Sequence, residues 1–183
     1  MINWDYMETA ENIVETYCRY VKNWFTISNI KCANHEFDLL AVDLSSPSRI
    51  KRYHIETSIH TTGSFAKLTS KPFNSENLRT SKQASERRTI GFFKEKKFEH
   101  REVIEELKKY GFENNNYEKV IVSLGWDESV EAIAKKEMIT LWDFSNIMKQ
   151  IILTRKDKKS YSDNDFIRII QFLRTSKMLK DLE

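Results

Sequence analysis

The 183-residue chain has little of what several common protein classes require. Its only two cysteines, Cys18 and Cys32, form no CxxC motif, so we expect buried thiols rather than a disulfide scaffold or a cysteine-based zinc site. No apolar run approaches the roughly 20 residues that span a bilayer. The first residues are acidic where a signal peptide is basic. We therefore expect a cytoplasmic protein that has no membrane partner.

The markers of several enzyme classes are also missing. The run KVIVSLG is followed by no P-loop lysine, which leaves nucleotide binding weakly supported. Neither a Ser-His-Asp spacing nor a nucleophile elbow is present. No repeat, low-complexity tract or Pro/Gly/Ser linker divides the chain, so the sequence predicts a single domain over residues 1–183.

The order of predicted elements indicates an α/β fold with a mixed sheet. Apolar spacing predicts a helix over residues 8–23, and three strand-like stretches follow it: WFTISNIKC, EFDLLAVD and RYHIETSIH. A helix that ends near Gly111 leads to two continuous apolar strands, KVIVSLG and ITLW, with a short helix between them. Such continuous apolar character is typical of parallel central strands.

Two more helices are predicted after these strands. Asp143 or Ser145 can cap the first of them, which runs to about residue 153. The second is amphipathic, has Ser162 or Asp163 near its start, and forms a C-terminal extension over about residues 160–183.

Two carboxylates, Asp38 and Glu56, lie in stretches that otherwise have the character of core strands. Strand alternation puts Asp38 on one face with Leu40, and it puts Glu56 on one face with His54 and Ser58. Two buried carboxylates on neighbouring strands repel each other, and a divalent cation between them removes that penalty. Oxygen ligands suit Mg²⁺ or Mn²⁺, which can activate water for attack on a phosphodiester.

Other interpretations of these side chains stay open at this point. Asp38 could lie at a solvated rim, and Glu56 could pair with Arg52 or a nearby lysine. His54 and His60 share the predicted Glu56 face and could assist a metal or water, although a strand histidine is more often simply packed or exposed.

A basic segment runs from Lys67 to Arg101. It holds ten Lys and Arg against four Glu, a net charge of +6, whereas the rest of the chain sums to −3. Such a segment suits a surface that follows nucleic-acid phosphates, and the other interpretation is a solvated face. The predicted contacts to nucleic acid are Lys82, Arg87, Arg88, Lys96 and Lys97.

These elements together resemble a known enzyme family. The stretches AENIVETYCRYVKNWFTISN, NHEFDLLAVD and YHIETSIH resemble the core of the restriction-endonuclease-like PD-(D/E)XK nuclease superfamily. The stretch YEKVIVSLGWDESVEAIAKKEMITLWDFSNIM resembles the second half of that core in archaeal Holliday junction resolvases and type IV restriction nucleases. The resemblance covers residues 8–150, and the order of elements carries it more than any single residue does.

The resemblance assigns roles to individual residues. It makes Asp38 the strand aspartate and Glu56 the second metal-binding carboxylate, with the backbone carbonyl of Thr57 completing the ligands for Mg²⁺ or Mn²⁺. Glu11 matches the accessory acid on the first helix, and Glu15 is its alternative. The implied activity is hydrolysis of DNA phosphodiester bonds, and homodimers are common among members.

One position departs from the family motif. Ser58 stands where the E-x-K lysine is expected, and a serine hydroxyl supplies hydrogen bonds but no positive charge. Some members carry this lysine on another element, and Lys67 is our first choice here, ahead of Lys71 and Lys31. Others have lost activity, so the alternative to a metal-dependent DNA endonuclease is a catalytically degenerate DNA-binding or assembly module. An unrelated α/β interaction domain is a third interpretation.

Overall fold

The computed structural model describes residues 9–46, 48–59, 67–113, 116–154 and 164–176. Within these ranges, five strands form one sheet and seven α-helices surround it. The strands are β1 Phe25–Cys32, β2 His35–Asp43, β3 Lys51–Ser58, β4 Glu118–Ser123 and β5 Ile139–Asp143. The helices are α1 Thr9–Tyr20, α2 Gln83–Glu86, α3 Ile90–Phe92, α4 Arg101–Lys109, α5 Glu128–Lys136, α6 Phe144–Thr154 and α7 Asp165–Thr175. A 3-10 helix, Ser75–Arg79, precedes α2, and a π-helix, Phe93–Phe98, continues α3.

The sheet is mixed, as the sequence predicts. Its strands lie in the order β1-β2-β3-β4-β5, with β1, β2 and β3 antiparallel and β3, β4 and β5 parallel. Short connections suffice for the antiparallel strands, whereas the parallel pair of β4 and β5 needs the crossover that α5 supplies. β3 is therefore the strand at which the antiparallel half meets the parallel half.

The two sides of the sheet are covered by different helices. On one side, α1 and α6 pack on the sheet over an apolar cluster that includes Val14, Tyr17, Ile55, Val122 and Ile151. The other side holds two smaller apolar clusters, to which the π-helix and helices α3, α4 and α5 contribute. This second side also carries the buried polar residues of β3.

Local signals in the sequence account for several helix ends. Gly111 has φ of +75° directly after the last turn of α4, the conformation that favours glycine. Asp143, rather than Ser145, caps α6, because its Oδ1 accepts the Asn146 N–H at 2.9 Å. Asn164 caps α7 by accepting the Ile167 N–H at 3.1 Å.

Ser162 and Asp163, the residues predicted near the start of the last helix, lie outside the described residues. Cys18 and Cys32 are buried free thiols, as predicted. Among the described helices, none has the length and apolar character needed to cross a bilayer.

Candidate active site

Asp38 and Glu56 meet on the second side of the sheet. The register pairs Leu39 with Ile55 and Leu40 with His54, so its continuation sets Asp38 opposite Glu56. The two carboxylates therefore share one face of adjacent strands, as alternation predicts. Asp38 is 8% exposed and Glu56 is 0% exposed, so neither lies at a solvated rim.

Thr57 links the two strands where their ladder ends. The Asp38 Oδ2 accepts the Thr57 backbone N–H at 2.6 Å and the Thr57 hydroxyl at 3.0 Å. The N–H and carbonyl of one strand residue point to the same side, so the Thr57 carbonyl also faces β2. Three oxygen-bearing groups, from Asp38, Glu56 and the Thr57 backbone, thus gather at one end of the β2–β3 pair.

A lysine from another element contacts both carboxylates. The Lys97 Nζ lies 2.6 Å from the Glu56 Oε2 and 3.2 Å from the Asp38 Oδ1. It also donates to the Glu36 carbonyl at 2.8 Å. The side chain of Lys97 is 19% exposed, so most of its stem is removed from solvent. An ammonium group therefore stands between two carboxylates that would otherwise repel each other.

The π-helix positions this lysine. The Glu99 N–H donates to the Lys94 carbonyl, five residues earlier, at 2.8 Å. Phe93 and Phe98 are buried at the two ends of the π-helix and anchor it in one apolar cluster of the second side. Lys97 lies next to Phe98, so the packing of the phenylalanine fixes the backbone from which the lysine reaches the carboxylates. Such π-helical segments occur frequently at functional sites.

The charges of Asp38, Glu56 and Lys97 do not cancel. Burial, together with the charge of Glu56, raises the pKa of Asp38 to about 6 against the opposing effect of Lys97. Burial also raises the pKa of Glu56. Burial alone would lower the pKa of Lys97, but the charges of Glu56 and Asp38 outweigh it and raise that pKa. When all three groups are charged, one negative charge is left without a balancing cation.

His54 lies behind Glu56 on the same face of β3. Its Nε2 is 2.7 Å from the Glu56 Oε1, and both side chains are fully buried. Burial, aided by the charge of Lys97, lowers the pKa of His54 to about 3, so the imidazole is neutral. A neutral imidazole whose proton lies on Nε2 donates a hydrogen bond to an ionised Glu56. The ring packs between Phe37 and Phe98, and it therefore holds Glu56 in place.

A cleft of about 540 Å³ opens onto Asp38 and Lys97, whereas Glu56 and His54 are fully buried and do not line it. Asp38, Thr57, Ser58 and Lys97 line it, and α1 contributes Glu11. Ser58 is buried, and its hydroxyl has no hydrogen-bond partner among the described residues.

The two acids on α1 that the sequence offers as alternatives are separated. Glu11 lines the cleft beside Asp38. Glu15 instead accepts the Thr26 hydroxyl of β1 at 2.8 Å. The structure therefore places Glu11, rather than Glu15, in the cleft that Asp38 lines.

The predicted nucleic-acid contacts divide into three groups. Arg87 and Lys96 line the cleft. Lys82 is exposed beside α2, and the Arg88 Nε donates back to a carbonyl of α2 at 2.9 Å. Lys97 differs from our prediction, since it pairs with the buried carboxylates instead of extending to an outer phosphate surface.

The three lysines proposed as replacements for the motif lysine occupy other places. Lys67, Lys71 and Lys31 are exposed, and Lys67 lies beside Gly125. Sequence reasoning missed Lys97 because it interpreted the whole basic segment as a surface. The available signal was weak: Lys97 lies between two phenylalanines, Phe93 and Phe98, that are both buried. His60, the second histidine of the predicted Glu56 face, lies outside the described residues.

Comparison with protein-family models, with curated proteins and with solved structures finds no match for this chain.

Proposed function

We propose that the protein is a metal-dependent nuclease that hydrolyses phosphodiester bonds of DNA. One observation supports this proposal above the others: the Lys97 ammonium contacts both Asp38 and Glu56 from outside their strands. A buried aspartate, a glutamate and a lysine are the set of side chains that the PD-(D/E)XK motif uses. Lys97 would thus supply the positive charge that Ser58 cannot.

The groups present fit a hard divalent cation. Asp38, Glu56 and the Thr57 carbonyl offer only oxygen ligands, which Mg²⁺ and Mn²⁺ prefer. One lysine leaves the pair of buried carboxylates short of one positive charge, and burial, together with the charge of Glu56, raises the pKa of Asp38 to about 6. A divalent cation bound by these oxygens would polarise a phosphodiester and promote attack by water.

The protein residues have distinct roles in this proposal. Asp38 and Glu56 are the ligands, and His54 is a positioning residue that holds Glu56 through its Nε2 contact. Lys97 keeps an ammonium group where negative charge develops on the phosphate, the kind of preorganised charge that contributes most to such reactions. Glu11 adds a further carboxylate to the same cleft.

Arg87 and Lys96 supply the positive charge that a nucleic-acid substrate needs. Both line the cleft that contains Asp38 and Ser58. Cationic side chains there can hold the phosphates on either side of the bond to be cut. We infer that the DNA backbone enters the cleft along these two residues.

A cleavage assay with matched lysine variants tests the proposal. The parent should cut DNA in Mn²⁺ or Mg²⁺ but not in EDTA, and Asp38→Asn or Glu56→Gln should abolish cutting. Lys97→Met should lower the rate by about two to three orders of magnitude, the usual scale for a positioned charge-stabilising group. Lys67→Met, which removes the lysine favoured from the sequence, should leave the rate unchanged.

Three results would contradict parts of this proposal. If Lys67→Met fails to cut DNA while Lys97→Met still cuts it, Lys67 rather than Lys97 supplies the positive charge of the site. If Asp38→Asn cuts DNA at the parental rate, Asp38 does not hold a catalytic metal ion. If the parent binds DNA but does not cut it, the protein is a degenerate DNA-binding module. If Ser58→Lys then cuts DNA, the parent lacks only the motif lysine.

A further inference from the structure

A second group of metal-ligating side chains lies at the edge of the cleft. The nitrogen and oxygen donors of His35, His100 and Glu102 are all within 4.8 Å of one another. The His35 Nε2 lies 3.5 Å from the Glu102 Oε2, and the two imidazole rings have centroids 3.9 Å apart. None of the three has a role in the nuclease proposal, so the cluster needs an explanation of its own.

Two separate elements bring these side chains together. His35 is the first residue of β2, while His100 immediately precedes α4 and Glu102 is in its first turn. The helix packs on β1 and β2, which fixes its N-terminal end against the start of β2. The three donors are therefore held by packed secondary structure.

The polar atoms of the cluster are incompletely satisfied. The His100 Nδ1 is buried and has no hydrogen-bond partner among the described residues. His35 and Glu102 are separated by 3.5 Å, which is long for a charge-assisted hydrogen bond. A cation placed among the donors would give each group a partner.

The chemistry of the donors selects the metal. Two imidazoles and one carboxylate form the three-ligand set of zinc sites that keep an open fourth position. Imidazole favours zinc over Mg²⁺, which prefers oxygen, so this cluster and the Asp38–Glu56 pair should bind different ions. His35 and His100 both line the cleft, so a fourth ligand can reach the site from there.

We propose that His35, His100 and Glu102 form a zinc-binding site at the edge of the cleft, separate from the oxygen site of Asp38 and Glu56. The separation is chemical, because the histidine site is rich in nitrogen and the Asp38–Glu56 site holds only oxygen.

Zinc titration calorimetry in excess Mg²⁺ tests this proposal with the full chain. The parent should bind one zinc ion per chain, and His35→Asn, His100→Asn and Glu102→Gln should each weaken binding by at least about tenfold, as the loss of a ligand requires. Glu105→Gln is the matched control, because Glu105 is an exposed acid on the same helix that pairs with Arg101 instead. Its affinity for zinc should equal the parent's, and Asp38→Asn should bind zinc equally well.

Parental affinity in both histidine variants would overturn the proposal, and so would an equal loss in Asp38→Asn, which would point to one shared site. If a histidine variant fails to fold by circular dichroism, Co²⁺ added to the folded parent decides the question. Intense visible absorption bands from four-coordinate Co²⁺ would support the site, while the weak bands of six-coordinate Co²⁺ would overturn it.

Discussion

The two faces of β3 both bury side chains, but burial of those side chains has opposite effects on the stability of the fold. Tyr53 and Ile55 face the α1–α6 side, where Trp24 stacks on Tyr53 with ring centroids 4.3 Å apart. His54 and Glu56 face the other side and are fully buried there. Burial of the apolar residues stabilises the fold, whereas burial of a carboxylate costs free energy unless a partner compensates it.

The difference separates a face held together by apolar contacts from a face on which charged groups are buried. On the α1–α6 face, hydrophobic contacts suffice. On the Glu56 face, His54, Lys97 and the Thr57 hydrogen bonds to Asp38 all serve to keep two acids inside the protein. A fold that needed only stability would gain by placing apolar residues there. The burial of two acids on this face is therefore what the proposed site would require.

The largest expected effect comes from removing the lysine on the Glu56 face. In EDTA, Lys97→Met should lower the free energy of unfolding by about 3 to 5 kcal/mol, because two buried carboxylates lose their only described ammonium partner. Urea unfolding measures this loss. Mn²⁺ should restore part of the stability by supplying the missing charge.

Two further variants sharpen this experiment. Lys96→Met removes the neighbouring lysine of the cleft and should cost far less, so equal losses in both variants would contradict the ion-pair argument. Addition of Asp38→Asn and Glu56→Gln to Lys97→Met should recover much of the lost stability, since no buried charge remains. Such close residues are expected to couple by about 0.5 to 3 kcal/mol.

A second effect, of similar or smaller size, is expected on the apolar face. Ile55→Ala should lower the free energy of unfolding by about 2 to 5 kcal/mol, because it leaves a cavity in the largest apolar cluster. The loss should be the same in EDTA and in Mn²⁺. Ile27→Ala, at an exposed position of β1, should change stability by less than about 0.5 kcal/mol. A loss in Ile55→Ala that depends on the metal would mean that the two faces are not independent.

The smallest effect concerns the cationic rim of the cleft. The slope of log affinity for duplex DNA against log salt should flatten by about 0.9 for each phosphate contact that Arg87→Gln and Lys96→Gln remove. The matched control is the pair Lys135→Gln and Lys136→Gln on α5, which removes the same charge from exposed positions. If the control pair flattens the salt slope equally, the DNA does not bind along Arg87 and Lys96.

Much of the sheet could be predicted from the sequence because its signals are local. Apolar periodicity and the turn residues identify β1 to β5 along the chain, and the continuous apolar run of β4 indicates its parallel neighbours. The prediction that ITLW is a second central strand was wrong, because β5 lies at the edge of the described sheet and only Ile139 of its residues is buried. The opposition of Asp38 and Glu56 follows from a hairpin register, which is also a local property. These parts of the site need no knowledge of distant contacts.

The position of Lys97 could not be predicted in the same way. It depends on a π-helix, a rare element whose hydrogen bonds differ from those of the helices that the sequence signals describe. It also depends on a contact between residues 59 positions apart in the chain. The composition around Lys97 suggests an exposed basic surface, so only packing of Phe93 and Phe98 distinguishes this lysine from its neighbours.

The position of β3 between the two halves of the sheet has a consequence for the order of folding. β1, β2 and β3 can pair through short loops, whereas β4 must close the whole segment that follows β3, including the π-helix, before it pairs. We expect the antiparallel hairpins to form first, with Asp38 and Glu56 still hydrated. Lys97 arrives with the later segment, so the step that buries the two acids is the same step that delivers their counter-charge.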